Sequence, residues 1–136
     1  MMQKLLGFLA TVVLWSGAPA LAHHSGAMFD RTKTVELSGT IKQYQFANPH
    51  VWIEVLVPEK VVPGKKGKDA ATVQWSIEGE GPAIMARMGL GPSVLKSGDK
   101  VTIKAHPLRD GRPGGSFISV TLPDGKVIAT TTGPRL

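Results

Sequence analysis

The sequence contains no cysteine among its 136 residues. This absence excludes disulfide bonds, thiolate metal ligands, iron–sulfur clusters and a cysteine nucleophile. Any transition-metal site must therefore rest chiefly on nitrogen ligands. Aromatic residues are also scarce, with four Phe and one Tyr, whereas 16 Gly and 10 Pro indicate many turns and a small core. A chain of this length fits one domain and can bury a core without covalent cross-links.

The sequence also lacks a hydrophobic run long enough to cross a membrane. Its longest apolar run, residues 5–15, is shorter than the roughly 20 residues that a transmembrane helix needs. Lys4 precedes this run, and Ala20-Leu21-Ala22 follows it as a small-x-small cleavage site. The pattern is typical of a secretory signal peptide, and an uncleaved anchor is the alternative. We predict that residues 1–22 are removed and that the mature protein is periplasmic or secreted and does not span a membrane.

Acidic residues are fewer than basic ones, 10 against 16, which gives a formal net charge of +6. Loss of Lys4 with the signal peptide lowers this excess by one. A basic balance alone admits nucleic acid, a membrane surface or an anionic ligand as a partner. Because an exported protein is separated from nucleic acid, we expect a metal ion, an anionic small ligand or a protein partner instead.

Alternating apolar and polar residues predict that the mature chain is all-β with one short helix. Val35, Leu37 and Ile41 share one face of a first strand, and Gly39 marks a bend within it. Strands are predicted near residues 34–46, 51–57, 73–77, 101–105, 117–122 and 126–130, with a helix near 82–88. This order favours an OB-like Greek-key barrel of five to six strands, and an open β-sandwich is the alternative. The predicted units are an arm at 23–33, the barrel at 34–130 and a frayed tail at 131–136.

The mature chain would begin with His23 and His24, two of the four histidines in the sequence. A free α-amino group has an ordinary pKa of about 7.7–8.0 and imidazole one of about 6.5, so both can offer lone pairs near neutral pH. An N-terminal His can chelate a metal through its amine and ring, and a third nitrogen would complete a tetragonal site that favours Cu(II). Cleavage after Ala20 would instead place His23 third, which is also a copper-binding arrangement. A solvated terminus without metal is the alternative.

The third nitrogen would come from His106 or His50. His50 follows Asn48-Pro49 and is predicted to open the second strand, on the face of Trp52. His106 is predicted to end the fourth strand. In an OB-like barrel these positions lie toward opposite ends of the first strand, so we predict that the two histidines do not share one metal. The arm enters the first strand on the side of His106. For each histidine, a hydrogen bond to a turn is the alternative role.

Other side chains offer a different kind of site. Trp52, Arg109 and Arg112, together with His50, could present a non-metal binding surface to an anionic small molecule, a glycan or a protein. Residues 78–82, Glu-Gly-Glu-Gly-Pro, are interpreted as a turn before the helix, and Ile84, Met85 and Met88 as its core-facing side. No catalytic constellation is visible, and the chain is too small to add a deep substrate pocket to the barrel, so we favour a binding protein over an enzyme.

Several motifs together resemble a known family. They are AHHSGAMFD (22–30), LSGTI in the first strand, QFANPHVWI (45–53), QWSIEGEGP (74–82), LKSGDKVTIKAHPLRDGRPGGS (95–116) and VTLPDG (120–125). The chain resembles small exported bacterial proteins grouped as domain of unknown function 6152. The resemblance covers nearly all of the mature chain, although loop 58–70 is longer than usual for the family. It implies export and a single small domain, places all four histidines in motif positions, and implies no reaction.

Overall fold

The structure, a computed structural model, describes residues 26–59 and 71–130. A short 3-10 turn, Gly26–Met28, precedes six strands and one helix in these residues. The elements are β1 (Val35–Gln45), β2 (Trp52–Pro58), β3 (Thr72–Glu78), α1 (Pro82–Arg87), β4 (Lys100–Pro107), β5 (Gly114–Thr121) and β6 (Val127–Ala129). The predicted signal peptide, His23, His24 and the tail after residue 130 lie outside the described residues.

Strand β1 is shared between two parts of one sheet. Its first half pairs with β4, from Val35↔Ala105 to Thr40↔Lys100, and its second half pairs with β2, up to Gln45↔Trp52. Gly39 lies at the point where the strand changes partner, and a Cβ there would be 2.4 Å from the carbonyl oxygen of Leu56. Only glycine fits such a close backbone approach.

A parallel pairing between β3 and β5 closes the sheet into a barrel. The strands follow one another in the order β3-β2-β1-β4-β5, and β6 adds to the free edge of β5. This is the closed five-stranded barrel with one extra strand and one short helix that the sequence predicts. The β-sandwich alternative is therefore wrong.

The barrel interior is filled by the apolar side chains that alternate along the strands. The fully buried ones include Ile41, Ile53, Ile77, Ile103 and Val120. Burial of each such side chain stabilises the fold by about 1.5–3 kcal/mol relative to leaving it exposed. Helix α1 adds Met85 to this core, whereas Ile84 is 43% exposed. The interpretation of Ile84, Met85 and Met88 as one core face is thus wrong for Ile84, because a six-residue helix buries only a narrow stripe.

Two of the differences between the predicted and the observed element boundaries bear on the candidate site. Strand β5 begins at Gly114 rather than Phe117, because Gly114 and Gly115 pair with Ser76 and Ile77 of β3. A Cβ at Gly115 would lie 2.7 Å from the backbone oxygen of His106, so this crossing also needs glycine. Hydropathy alternation cannot reveal a strand segment made of glycine. Strand β2 begins at Trp52, which leaves His50 in the loop before it.

Helix α1 is short and contributes Met85 to the core. Across residues 26–59 and 71–130, no helix has the length and apolar character needed to span a bilayer.

Candidate functional site

The strand register places four outward-facing positions in one row across the barrel. Trp52 pairs with Glu78, Glu78 with Ser116, and Ser116 with His106. Neighbouring strands lie about 4.8 Å apart, so the row from Trp52 to His106 spans at most about 14 Å. Along β1 alone, the two histidines lie toward opposite ends of the strand. The pairing of β3 with β5 also connects the two histidines across the barrel, and it places the residues around both of them on the same outer surface.

Next to the Trp52 end of this row, the side chains of His50 and Glu78 are in close polar contact. Glu78 is only 7% exposed and is the one buried charged residue in the described part of the chain. Its Oε1 lies 2.5 Å from Nδ1 of His50. The loop that carries His50 is held against β3 by two backbone hydrogen bonds, in which Val51 donates to Glu80 at 3.0 Å and Gly79 donates to Val51 at 2.8 Å. Glu78 is therefore a strand residue with a defined partner, and its interpretation as part of a turn is wrong.

Sequence reasoning missed Glu78 because the glycines that follow it, in residues 78–82, suggest a turn rather than a strand. The alternation of side chains along β3 offered a signal. Trp75 and Ile77 share the core-facing side of the strand, so Glu78, which follows Ile77, points to the opposite side. An outward carboxylate is ordinarily exposed. Glu78 is buried by the His50 loop and by neighbouring segments. The alternation pattern of one strand carries no information about such contacts.

A pocket of about 430 Å³ lies beside this contact. Apolar side chains of Met28, Phe29, Trp52, Leu108 and Pro113 line it, together with Glu78 and Arg112. We call it the Trp52–Glu78 pocket. It lies between the outer face of β2–β3 and the β4–β5 loop, which is the region that OB folds commonly use for ligands. Its volume falls in the usual range for small-molecule sites, roughly 300–1,000 Å³.

The described part of the N-terminal arm runs along the end of β4. Asp30 donates its backbone N–H to Pro107 at 2.8 Å, and Arg109 donates its own to Met28 at 2.9 Å. Phe29 and Leu108 form an isolated β-bridge between these bonds. The side-chain hydroxyl of Thr32 binds Asp30 at 2.6 Å and, more than any other contact, holds the pKa of that carboxyl below its ordinary value. The arm is therefore fixed directly beside the residues that follow His106.

His106 has a different partner from His50. Its Nδ1 lies 2.8 Å from the backbone oxygen of Lys33. Because a carbonyl oxygen only accepts, Nδ1 carries a proton, and Nε2 is the ring nitrogen left for a ligand. Metal-ligating histidines usually have this arrangement, with the second ring nitrogen donating to a carbonyl or carboxylate. His106 also lines a neighbouring pocket of about 580 Å³ with Arg31, Glu80 and Met88.

The predicted arginines both have acidic neighbours. Nε of Arg112 donates to Asp110 at 2.7 Å, and the backbone N–H of Arg112 is the largest cause of a lowered pKa at Asp110. Nε of Arg109 donates to the carbonyl of Ala27 at 3.0 Å, and its Nη1 lies 4.0 Å from Asp30. Of the predicted surface, Trp52 and Arg112 line the pocket, whereas Arg109 binds the arm.

A second polar cluster covers the outer face of β1–β3. Lys42 donates to Gln74 at 2.6 Å, and Gln74 and Ser76 donate to Glu54 at 2.9 and 2.6 Å. Because each member has a partner, we interpret the cluster as cross-strand stabilisation. Within residues 26–59 and 71–130, no group of three or more His, Asp or Glu side chains is arranged to hold a metal ion. The predicted ligands His23 and His24 lie outside the described residues.

Two comparisons with known proteins complete this description. The model of a family of unknown function, DUF6152, matches residues 12–117. A search of curated proteins finds no match to the chain.

Proposed function

The chain belongs to the DUF6152 family of unknown function, and we propose that it is an exported protein that binds copper(II). In this proposal, residues 1–22 are removed and the new terminus supplies the amine and the rings of His23 and His24. His106 supplies a further nitrogen through Nε2. Tetragonal nitrogen coordination is the arrangement that Cu(II) prefers.

The hydrogen bond from Nδ1 of His106 to Lys33 is the observation that carries the proposal. It orients the ring and leaves Nε2 as the ring nitrogen for a ligand, as ligand histidines require. His50 has an equivalent arrangement, with Nδ1 on the carboxylate of Glu78, so the choice of His106 rests on the arm, which is bound to the residues directly after His106. The proposal therefore selects His106 from the two histidines that the sequence left open.

The position of the arm also supports the proposal. Asp30 and Phe29 are bound to Pro107 and Leu108, the residues that directly follow His106. His24 precedes Gly26 by two residues, and consecutive Cα atoms are about 3.8 Å apart, so the two Cα atoms lie within about 7.6 Å of each other. The proposed terminal chelate therefore joins the barrel through a segment that is fixed next to His106, and a shared metal ion requires the chain before Gly26 to fold back toward that ring.

The alternative of an anion-binding module has less support. Arg112 already donates to Asp110, and Arg109 donates to the carbonyl of Ala27 beside Asp30. An anionic ligand would have to compete with these partners. Among the described residues, the alternative site is thus less basic than the net charge of +6 suggests.

Calorimetric titration with Cu(II) tests the copper proposal directly. The processed protein, residues 23–136, is compared with a form that carries one extra N-terminal alanine. We expect the extra residue to weaken binding at least tenfold, because it removes the amine from the terminal His chelate. Equal affinities for the two forms would disprove the terminal site.

Two single variants test the choice of histidine. His106→Ala should weaken Cu(II) binding about tenfold or more and remove one nitrogen from the superhyperfine pattern in the electron paramagnetic resonance spectrum. His50→Gln is the matched control and should leave both unchanged. The opposite result would transfer the third nitrogen to His50. Mass spectrometry of the protein recovered from the periplasm tests export and gives the true N-terminus.

A further inference from the structure

We propose that the Trp52–Glu78 pocket binds a small organic cation, a primary ammonium group attached to an aromatic or branched aliphatic body. This site is separate from the copper proposal and needs no metal. The pocket offers an apolar wall made by Met28, Phe29, Trp52 and Leu108, with the carboxylate of Glu78 beside it. An apolar pocket with a small number of fixed polar groups is the usual form of a small-molecule site.

Glu78 gives the pocket its charge preference. The residue is 7% exposed, and His50 binds its Oε1 at 2.5 Å. Removing a carboxylate from water is costly unless charged or hydrogen-bonding groups compensate. A carboxylate accepts several hydrogen bonds at once, so Glu78 can take an ammonium N–H while it keeps His50. The contact with His50 thus holds the acceptor in place.

The other charged groups around the pocket do not reverse this preference. Arg112, the basic residue in its lining, donates to Asp110 at 2.7 Å. Arg109, which follows the lining residue Leu108, lies 4.0 Å from Asp30. Glu54 adds a further carboxylate behind Ser76 and accepts its hydroxyl at 2.6 Å. In a chain with a net charge of +6, these acidic groups make the surroundings of the pocket locally unfavourable to an anion.

The size of the pocket sets the size of the ligand. A volume of about 430 Å³ accommodates one aromatic ring with a short side chain. The ring would contact Trp52 and Phe29, since aromatic and apolar side chains supply most of the burial in such pockets. A two-carbon spacer would carry the ammonium group toward Glu78.

Three probes of nearly equal shape test the proposal on the processed protein with a chelator present. They are 2-phenylethylamine, which is cationic, 2-phenylethanol, which is neutral, and 3-phenylpropanoate, which is anionic. We expect the amine to shift the indole N–H of Trp52 and the amides of Gly114 and Gly115 in nuclear magnetic resonance spectra. The amine should bind at least tenfold more tightly than the alcohol, and the anion more weakly still. The indole of Trp75, which lines a different pocket, is the internal control.

The variant Glu78→Gln keeps the shape of the side chain and should reduce the preference for amine over alcohol to less than threefold. Glu36→Gln removes an exposed carboxylate on β1 that is outside the pocket lining and pairs with Lys104, and it should leave that preference intact. If Glu78→Gln fails to fold, the relative affinities of the amine and the alcohol for the unmodified protein test the proposal. Equal binding of amine and alcohol, tighter binding of the anion, or no shift at Trp52 with millimolar amine would overturn the proposal. Failure of copper binding would leave it unaffected.

Discussion

His50 and His106 lie on the same outer surface of the barrel but bind very different partners. His50 contacts the carboxylate of Glu78, which is 7% exposed, and so satisfies a charge that the fold has buried. His106 contacts the backbone oxygen of Lys33 in an exposed setting. Nδ1 makes the contact in both rings, but the His50 contact satisfies a buried carboxylate, whereas the His106 contact ties the ring to the backbone of the segment that leads into β1.

This difference also separates two ways of attaching a segment to the barrel. The loop that carries His50 is bound by the contact with Glu78 and by backbone bonds to Gly79 and Glu80. The arm beside His106 is bound mainly through backbone bonds at the end of β4 and through the exposed side chain of Arg109. We therefore expect the His50 loop to open only with the whole fold, and the arm to open on its own.

Replacing each histidine by alanine should give the largest difference in stability between the two regions. His50→Ala leaves the buried carboxylate of Glu78 without the hydrogen-bond partner that His50 supplies, so we expect the free energy of unfolding to fall by about 2 kcal/mol. His106→Ala removes one solvent-exposed hydrogen bond and should cost about 0.5–1 kcal/mol. Urea denaturation followed by circular dichroism measures both. Because Glu78→Gln removes the buried charge, the double variant should recover part of the loss caused by His50→Ala. Equal costs for the two histidines would contradict the comparison.

Much of the barrel could be predicted because its information is local. Alternation of apolar residues located the strands, and Gly39 marked the point where β1 changes partner. The order of three strands, one helix and further strands then favoured one topology. The start of β5 escaped this reasoning, because Gly114 and Gly115 carry no hydropathy signal and pair with a strand that lies far away in sequence.

Several residues of the candidate site could be predicted from the sequence, but the contacts between them could not. His50, His106, Trp52 and Arg112 were all identified, but their partners were not. Partners such as Glu78, Lys33 and Asp110 are set by the register and the loops, and two of these pairs are distant in sequence. A single sequence shows which residue types can do chemistry. The closure of the barrel decides which of them meet.

At alkaline pH, a smaller change in stability should distinguish the region of the His50 loop from the arm. Tyr44, at the end of β1 on the side of the His50 loop, donates its hydroxyl to Leu90 at 3.0 Å. Burial raises its pKa from 10.0 to about 12. The raised value favours the protonated phenol, so its contribution to stability is present below pH 10 and is lost as the pH rises toward 12. Since the chain has one tyrosine, tyrosinate absorbance reports this titration directly.

The variant Tyr44→Phe sharpens that test. It should lower the free energy of unfolding near neutral pH by about 1 kcal/mol, because it leaves the oxygen of Leu90 without this donor. It should also flatten the loss of stability between pH 10 and 12 that the unmodified protein shows. A tyrosinate midpoint close to pH 10 would mean that the ring is not buried as described.

The smallest expected effect lies in the arm and appears at acidic pH. Hydrogen bonds from Thr32 and the neighbouring charge of Lys33 hold the pKa of Asp30 below its ordinary 3.8. A lowered pKa stabilises the folded arm above the ordinary value, and this contribution is lost as the pH falls through the lower folded value. The arm should therefore loosen below about pH 3.8 while the Val51 and Gly79 amides of the His50 loop remain protected.

The variant Asp30→Asn reproduces this loss at neutral pH, since it removes the charge while keeping the shape. We expect amide hydrogen exchange to become a few times faster at position 30 and at Arg109, whose N–H groups bind the arm to the end of β4, with no change at Val51. Asp110→Asn is the matched control, because Asp110 binds Arg112 in the β4–β5 loop rather than the arm. If both variants accelerate exchange at Val51 equally, the arm and the loop open together and the two regions are not independent. If only the arm responds, copper affinity should fall a few-fold in Asp30→Asn alone, because the proposed terminal ligands depend on the arm for their position beside His106.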